Sequence, residues 1–181
     1  MSAVPPIAPE VALVLADALS YPVAGLVARV RARSAALPPA AADALLRLAD
    51  RLDALGPAGA EELYTATFDL RPAVSPYAGH HLCGEGPRRH ALLAWLAALR
   101  AATGVAAAEE LPDHLAELLR WLAAAGDHPD APEVAALVLA PAARRALDAL
   151  PGENPYRDAL AAVLAVLAPA LERSGAEEVV P

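Results

Sequence analysis

The chain holds little from which a β-sheet could be built. Its 181 residues include 49 alanines and 30 leucines, but only 14 valines, three threonines and one isoleucine, Ile7. Alanine and leucine head the scale of helix propensity, whereas the residues that favour strands are β-branched or aromatic, and aromatics make up just 4% of the chain. The composition therefore predicts an all-α protein and argues against a strand-rich sandwich or barrel. A chain of this length is in the usual range for one domain and can enclose a core without disulfides or metal. The expectation is a single-domain helical bundle over residues 1–175, with a frayed tail over 176–181.

Eighteen prolines would disrupt such a bundle if scattered at random, but they fall largely between apolar periodic stretches, where proline starts a helix or follows its end. Read this way, they delimit about eight helices, over 8–19, 22–34, 39–55, 59–69, 87–103, 112–125, 131–150 and 155–173. Leu115, Leu118, Leu119 and Leu122 recur at i, i+3, i+4 and i+7, and Leu160, Val163, Leu164, Leu167 and Leu171 continue the same kind of spacing, so each set predicts one buried stripe. Leu45, Leu48, Leu52 and Leu55 form a third. In the first helix Val11, Leu13, Val14, Leu15 and Leu19 spread round most of the circumference, which predicts a central position. Pro141 and Pro169 lie inside helical patterns and are expected to break or kink them.

The charge narrows the function classes. All 14 cations are arginine, against 22 acidic residues, for a net charge of −8. An acidic surface offers no broad footprint for a phosphate backbone, so nucleic-acid binding is disfavoured and a basic partner favoured. The single cysteine, Cys83, can form neither an intramolecular disulfide nor a thiolate-rich metal site, which fits a reducing compartment. The longest uncharged runs, 72–84 and 159–171, hold 13 residues each. A membrane-spanning helix needs roughly 20 apolar residues, so direct membrane insertion is not expected. No cation precedes Arg29, so the charged start of a secretory signal is missing and a cytoplasmic location is expected.

Residues 61–121 are chemically richer than the rest and contain the one phenylalanine, both tryptophans and four of the five histidines. Three motifs stand out: Tyr64, Phe68 and Asp69 at the end of one helix; Gly84-Glu85 followed by Arg89; and Glu110-Leu111-Pro112-Asp113-His114-Leu115. In this order and at this separation they resemble the assembly chaperones of respiratory nitrate reductase, the delta-subunit family. A leucine-rich helix ending in Tyr21-Pro22 extends the resemblance, and the segment from Glu110 to Leu115 is its most specific part. The resemblance implies an all-helical protein that is not an enzyme and carries no cofactor. It further implies binding to the N-terminal segment of the molybdenum-containing catalytic subunit, support of molybdenum cofactor insertion, and delay of membrane attachment until assembly is complete. A chaperone for a related client, a dimethyl sulfoxide, trimethylamine oxide or formate-type molybdoenzyme, is the near alternative.

By the same resemblance, the residues expected to meet the partner are Tyr64, Phe68, Tyr77, Glu110, Pro112, Asp113, His114, Leu118 and Trp121. Pro112 and Asp113 also suit a plain helix start, with a proline presetting the first turn and a carboxylate near its unpaired N–H groups. The functional expectation is an exposed rim at Asp113 and His114, with His114, Leu118 and Trp121 along one flank of the helix as a peptide-binding edge. Tyr64 and Phe68, four apart, share a face that suits the core as well as a groove. A rival from another class uses His80, His81, Cys83 and His90 as metal ligands. It is disfavoured because adjacent histidines in a helix after Ser75-Pro76 diverge and no second cysteine or carboxylate completes a known spacing. Arg144 and Arg145 are expected on a solvated helix face.

Overall fold

The computed structural model describes residues 7–70, 72–106 and 109–177. Among these residues the chain is helical, without a β-strand: α1 (Pro9–Ala18), α2 (Leu26–Arg33), α3 (Pro39–Phe68), α4 (Ala78–Cys83), α5 (Pro87–Ala102), α6 (Leu115–Ala125), α7 (Ala131–Glu133), α8 (Ala140–Ala149) and α9 (Tyr156–Glu177). The all-α reading stands. Pro9, Pro39, Pro87 and Pro132 occupy first-turn positions, where the missing N–H costs no hydrogen bond. The far end of the expected tail, 178–181, lies outside the described residues; the backbone of α9 continues through Glu177.

Helix α1 lies inside the bundle, packed against α2, α6 and α9, while α3 runs along α9 and α8 closes over it. Val11, Val14, Leu15 and Leu19 are buried as their spread predicts, and Leu13 takes the one open side at 38% exposure. The α6 stripe of Leu115, Leu118, Leu119 and Leu122 is fully inside, each side chain worth roughly 1.5–3 kcal/mol of transfer from water. Leu45, Leu48 and Leu52 are buried too. Leu55 is not, at 50% exposure. Gly56, at φ 71° and ψ 175°, breaks α3 one residue later, and the stripe loses its register there. The two helices expected over 39–55 and 59–69 thus follow each other across this single left-handed residue, with Pro57 opening the second.

Three helix boundaries differ from the sequence reading. Helix α2 begins at Leu26, not Pro22, because Gly25 at φ 80° forms its N-cap. Pro141 does not break its helix: a π-helical segment, Val134–Leu139, widens the preceding turn and absorbs the hydrogen bond proline cannot make. Pro169 is likewise carried inside α9. The third, at the start of α6, shapes the site.

Candidate functional site

Helix α6 starts at Leu115 because the three residues before it are engaged elsewhere. Tyr77 and His114 form an isolated antiparallel bridge. In it the Ala78 N–H donates to the Asp113 carbonyl at 2.7 Å and the Leu115 N–H donates to the Pro76 carbonyl at 2.9 Å. The Asp113 carboxylate does not serve its own helix. It accepts the Gly79 N–H at 3.1 Å in the first turn of α4, a cap supplied from 34 residues away in sequence. Gly79 makes the approach possible, since a Cβ there would lie 2.7 Å from Asp113 Oδ2. Arg89 Nε stands 3.5 Å from the same oxygen, an ion pair without hydrogen-bond alignment, and its Nη1 donates to Glu85 at 2.8 Å. Glu85 and Arg89, two of the motif residues, thereby meet a third.

This clip fixes Tyr77. The Arg89 guanidinium lies over its ring at 5.8 Å, the His114 ring meets it edge-on at 5.3 Å, and its hydroxyl donates to Glu110 Oε2 at 2.6 Å. Burial, then the Glu110 hydrogen bond and charge, raise the pKa of the phenol. His114 is the N-cap of α6: its Nδ1 accepts the Ala116 N–H at 3.1 Å. Burial lowers its pKa against the opposing pull of Glu110 and Glu117, so the ring is neutral near pH 7.

Tyr77 and His114 form one wall of a cavity of about 390 Å³. The second wall is α3, through Tyr64, Phe68 and Asp69; Ser20 and Tyr21 close a third side, and Glu109, Glu110, Glu117 and Arg120 complete the lining. Tyr64 and Phe68 sit 5.2 Å apart in an aromatic cluster with Tyr156, Tyr21 touching its outer edge. They are core residues and lining residues at once. Burial, with the charges of Glu110 and Asp69, pushes the Tyr64 hydroxyl up to about 12. Beneath the floor, Glu117 is buried and held by Arg100 Nη1 at 2.7 Å and by Arg120, whose Nη2 donates to Ser20 Oγ at 2.6 Å.

The structure thus brings Tyr64, Phe68, Tyr77, Glu110 and His114 into one lining. It does not bring Asp113, Leu118 and Trp121 there, and the expected exposed rim is overturned: Asp113 is 0% and His114 2% exposed. Pulling the carboxylate into the cap of α4 turns the start of α6 inward. Leu118 is core, and the Trp121 indole N–H donates to Thr103 Oγ1 at 3.1 Å, pinning the end of α5. Of the flank His114–Leu118–Trp121, only the histidine reaches the cavity. Pro112 is half-buried beside the bridge. Ser20, Tyr21, Asp69, Pro76, Glu109, Glu117 and Arg120 line the cavity without being expected there from the sequence; an acidic residue inside an otherwise apolar α6 stripe is the signal that marks Glu117.

The histidine cluster is taken up by structure. His81 Nε2 donates to the Ser75 carbonyl at 2.7 Å and His80 meets the His81 ring edge-on. Among the described residues no group of three or more histidine, cysteine or acidic side chains is placed to hold a metal ion. Arg145, expected to be only solvated, donates to the His81 carbonyl and ties α8 to α4. Among the described residues no helix is long and apolar enough to cross a membrane.

No curated protein matches the chain. A family model described as nitrate reductase delta subunit matches residues 34–150, nearly two thirds of the sequence, spanning the clip and the whole cavity lining except Ser20 and Tyr21. The chain belongs to the nitrate reductase delta subunit family.

Proposed function

We propose that this protein is a dedicated, non-enzymatic chaperone of respiratory nitrate reductase, acting in the cytoplasm. It binds the N-terminal segment of the catalytic subunit, keeps that subunit competent for molybdenum cofactor insertion, and releases it for membrane attachment once assembly is complete. Family membership supports the chaperone role and the nitrate reductase client. The observation that carries the site is the convergence of Tyr64, Phe68, Tyr77, Glu110 and His114, from α3, the α4 entrance and the α6 entrance, on one solvent-connected cavity. A hollow with aromatic walls and a few fixed polar groups suits a peptide segment, and a net charge of −8 steers a basic one toward it.

Co-expression of the tagged chain with the catalytic subunit tests the reading. The expected result is capture of the full-length subunit and loss of capture when its N-terminal segment is deleted. Equal capture of the deleted form would place the contact elsewhere on the client. Failure to capture nitrate reductase, with capture of a dimethyl sulfoxide or formate-type enzyme, would reassign the client.

A further inference from the structure

The cavity carries more negative charge than its own walls neutralise. Four carboxylates line it, from Asp69, Glu109, Glu110 and Glu117, against the single guanidinium of Arg120. Arg120 is committed to Glu117 and Ser20, and Arg100 pairs with Glu117 from behind. Among the described residues, Asp69, Glu109 and Glu110 have no cation within ion-pair distance. All three are exposed at the mouth.

Two further groups point to a ligand. Tyr64 is 7% exposed and His114 2%, and both line the cavity. Among the described residues neither the Tyr64 hydroxyl nor His114 Nε2 has a hydrogen-bond partner. Because His114 Nδ1 accepts the Ala116 N–H, the neutral ring must carry its proton on Nε2. The wall thus presents to the solvent-connected cavity an N–H donor and a phenolic hydroxyl that have no protein partner among the described residues, close to the three carboxylates at the mouth.

We infer that this cavity accepts a cationic side chain of the client segment, an arginine in preference to lysine, with the neighbouring main-chain carbonyl accepting from His114 Nε2. Asp69, Glu109 and Glu110 take the guanidinium, and the rings of Tyr21, Tyr64 and Tyr77 supply aromatic faces and edges for its plane. Arginine is favoured because a planar fork meets carboxylates two at a time and stacks on tyrosine, which an ammonium cannot do. Glu110 is already oriented by the Tyr77 hydroxyl, so part of the receptor is fixed before the ligand arrives. The inference rests on the cavity being the client site and adds the chemistry that selects the client.

The test uses the full chain and two small probes, N-acetylarginine amide and its neutral isostere N-acetylcitrulline amide, followed by amide chemical shifts in two-dimensional NMR. The arginine probe is expected to shift the resonances of Tyr64, Tyr77 and His114, with citrulline about tenfold weaker or more, the lysine probe between them, and binding weakening as salt rises. The double variant Glu109→Gln/Glu110→Gln keeps an acceptor for Tyr77 and alters only exposed residues, so it folds, and it is expected to lower arginine affinity about tenfold or more. Equal binding of arginine and citrulline, shifts confined to other surfaces, or an unaltered affinity in the double variant would overturn the inference. Should the wild-type chain capture the catalytic subunit yet ignore the arginine probe, the chaperone reading stands and the cation subsite falls. Should the wild-type chain bind the arginine probe in this cavity yet fail to capture the catalytic subunit, the cation-binding chemistry stands and the chaperone reading falls.

Discussion

Two hollows of similar size lie on either side of the turn at Tyr21 and Pro22, and they differ in almost everything else. The larger, about 440 Å³, sits between the α2 entrance and the break in α3; Pro22, Val23, Leu26, Val27, Leu52 and Pro57 give it apolar walls. Its one guanidinium, Arg31, is already bonded to Asp53 at 3.1 Å and to Asp50 at 2.8 Å, and Glu61 adds a carboxylate at its edge. The smaller has carboxylates at its mouth and, on its wall, donors without a protein partner among the described residues. Size alone would select the first, and chemistry selects the second. The contrast extends to how each is built: the apolar hollow arises from a glycine break and helix packing, while the polar one depends on a buried charge that ties α4, α5 and α6 together.

That dependence is most sharply exposed by Asp113→Ala. Removing this buried carboxylate takes the ion-pair partner from Arg89 Nε and uncaps α4, at a cost of about 3–5 kcal/mol. The thermal midpoint followed by circular dichroism is expected to drop by roughly 6–20 °C. A fall no larger than that of an exposed substitution would mean that the clip does not hold the cavity together. The next largest effect is Gly79→Ala, whose methyl would overlap the Asp113 carboxylate and the Arg89 stem and cost about 1–3 kcal/mol. Gly56→Ala is no control here, because φ at Gly56 is itself positive; φ at Gly79 is not, so any loss there reports the contact with Asp113.

The same pair of regions separates what the sequence discloses from what it withholds. The apolar stripes at Leu45–Leu48–Leu52 and Leu115–Leu118–Leu119–Leu122 follow from spacing, since a 3.6-residue period commits a face to the core whatever the partner helix is. Proline marked the helix starts for a similarly local reason. The clip is non-local: nothing within a few residues of Asp113 says that its carboxylate will cap a helix beginning at Ala78, and local rules assign it to its own helix instead. The rim expected at Asp113 and His114, and the edge expected at Trp121 from its i, i+4, i+7 spacing, fail because this end of α6 is turned inward. Resemblance to a family singles out the segment Glu110 to Leu115 without revealing that its members divide the labour. Glu110 and His114 face the cavity, Asp113 positions Tyr77, and Leu115 packs.

A smaller effect separates the two regions by pH. Burial lowers the pKa of His114 and of His81, so the unfolded chain takes up protons on these rings more readily than the folded one does. Their contribution is neutral above the unfolded value of 6.5, and stability falls as pH drops below it. In melting curves collected from pH 7.5 down to pH 5.5, His114→Gln is expected to flatten part of this slope, because the amide oxygen can accept the Ala116 N–H and does not titrate. An unchanged slope would assign the dependence to His81 or to other groups.

The least effect is expected in the apolar hollow, and it completes the contrast. Val23 is 59% exposed and lines that hollow, so Val23→Ser removes apolar surface without opening a cavity, leaving stability within about 0.5 kcal/mol of the parent. Capture of the catalytic subunit should be equally untouched if the client is held by charge and donors on the Tyr77 side. Two neighbouring hollows share α3 and the Ser20–Gly25 turn, so a long client segment has a physical route from one to the other. A drop in capture with Val23→Ser at unchanged melting temperature would therefore extend the site across the turn and make apolar contact at Val23 part of recognition. Retained capture, alongside its loss in Glu109→Gln/Glu110→Gln, would confine recognition to the polar cavity and leave the apolar hollow a by-product of the break at Gly56.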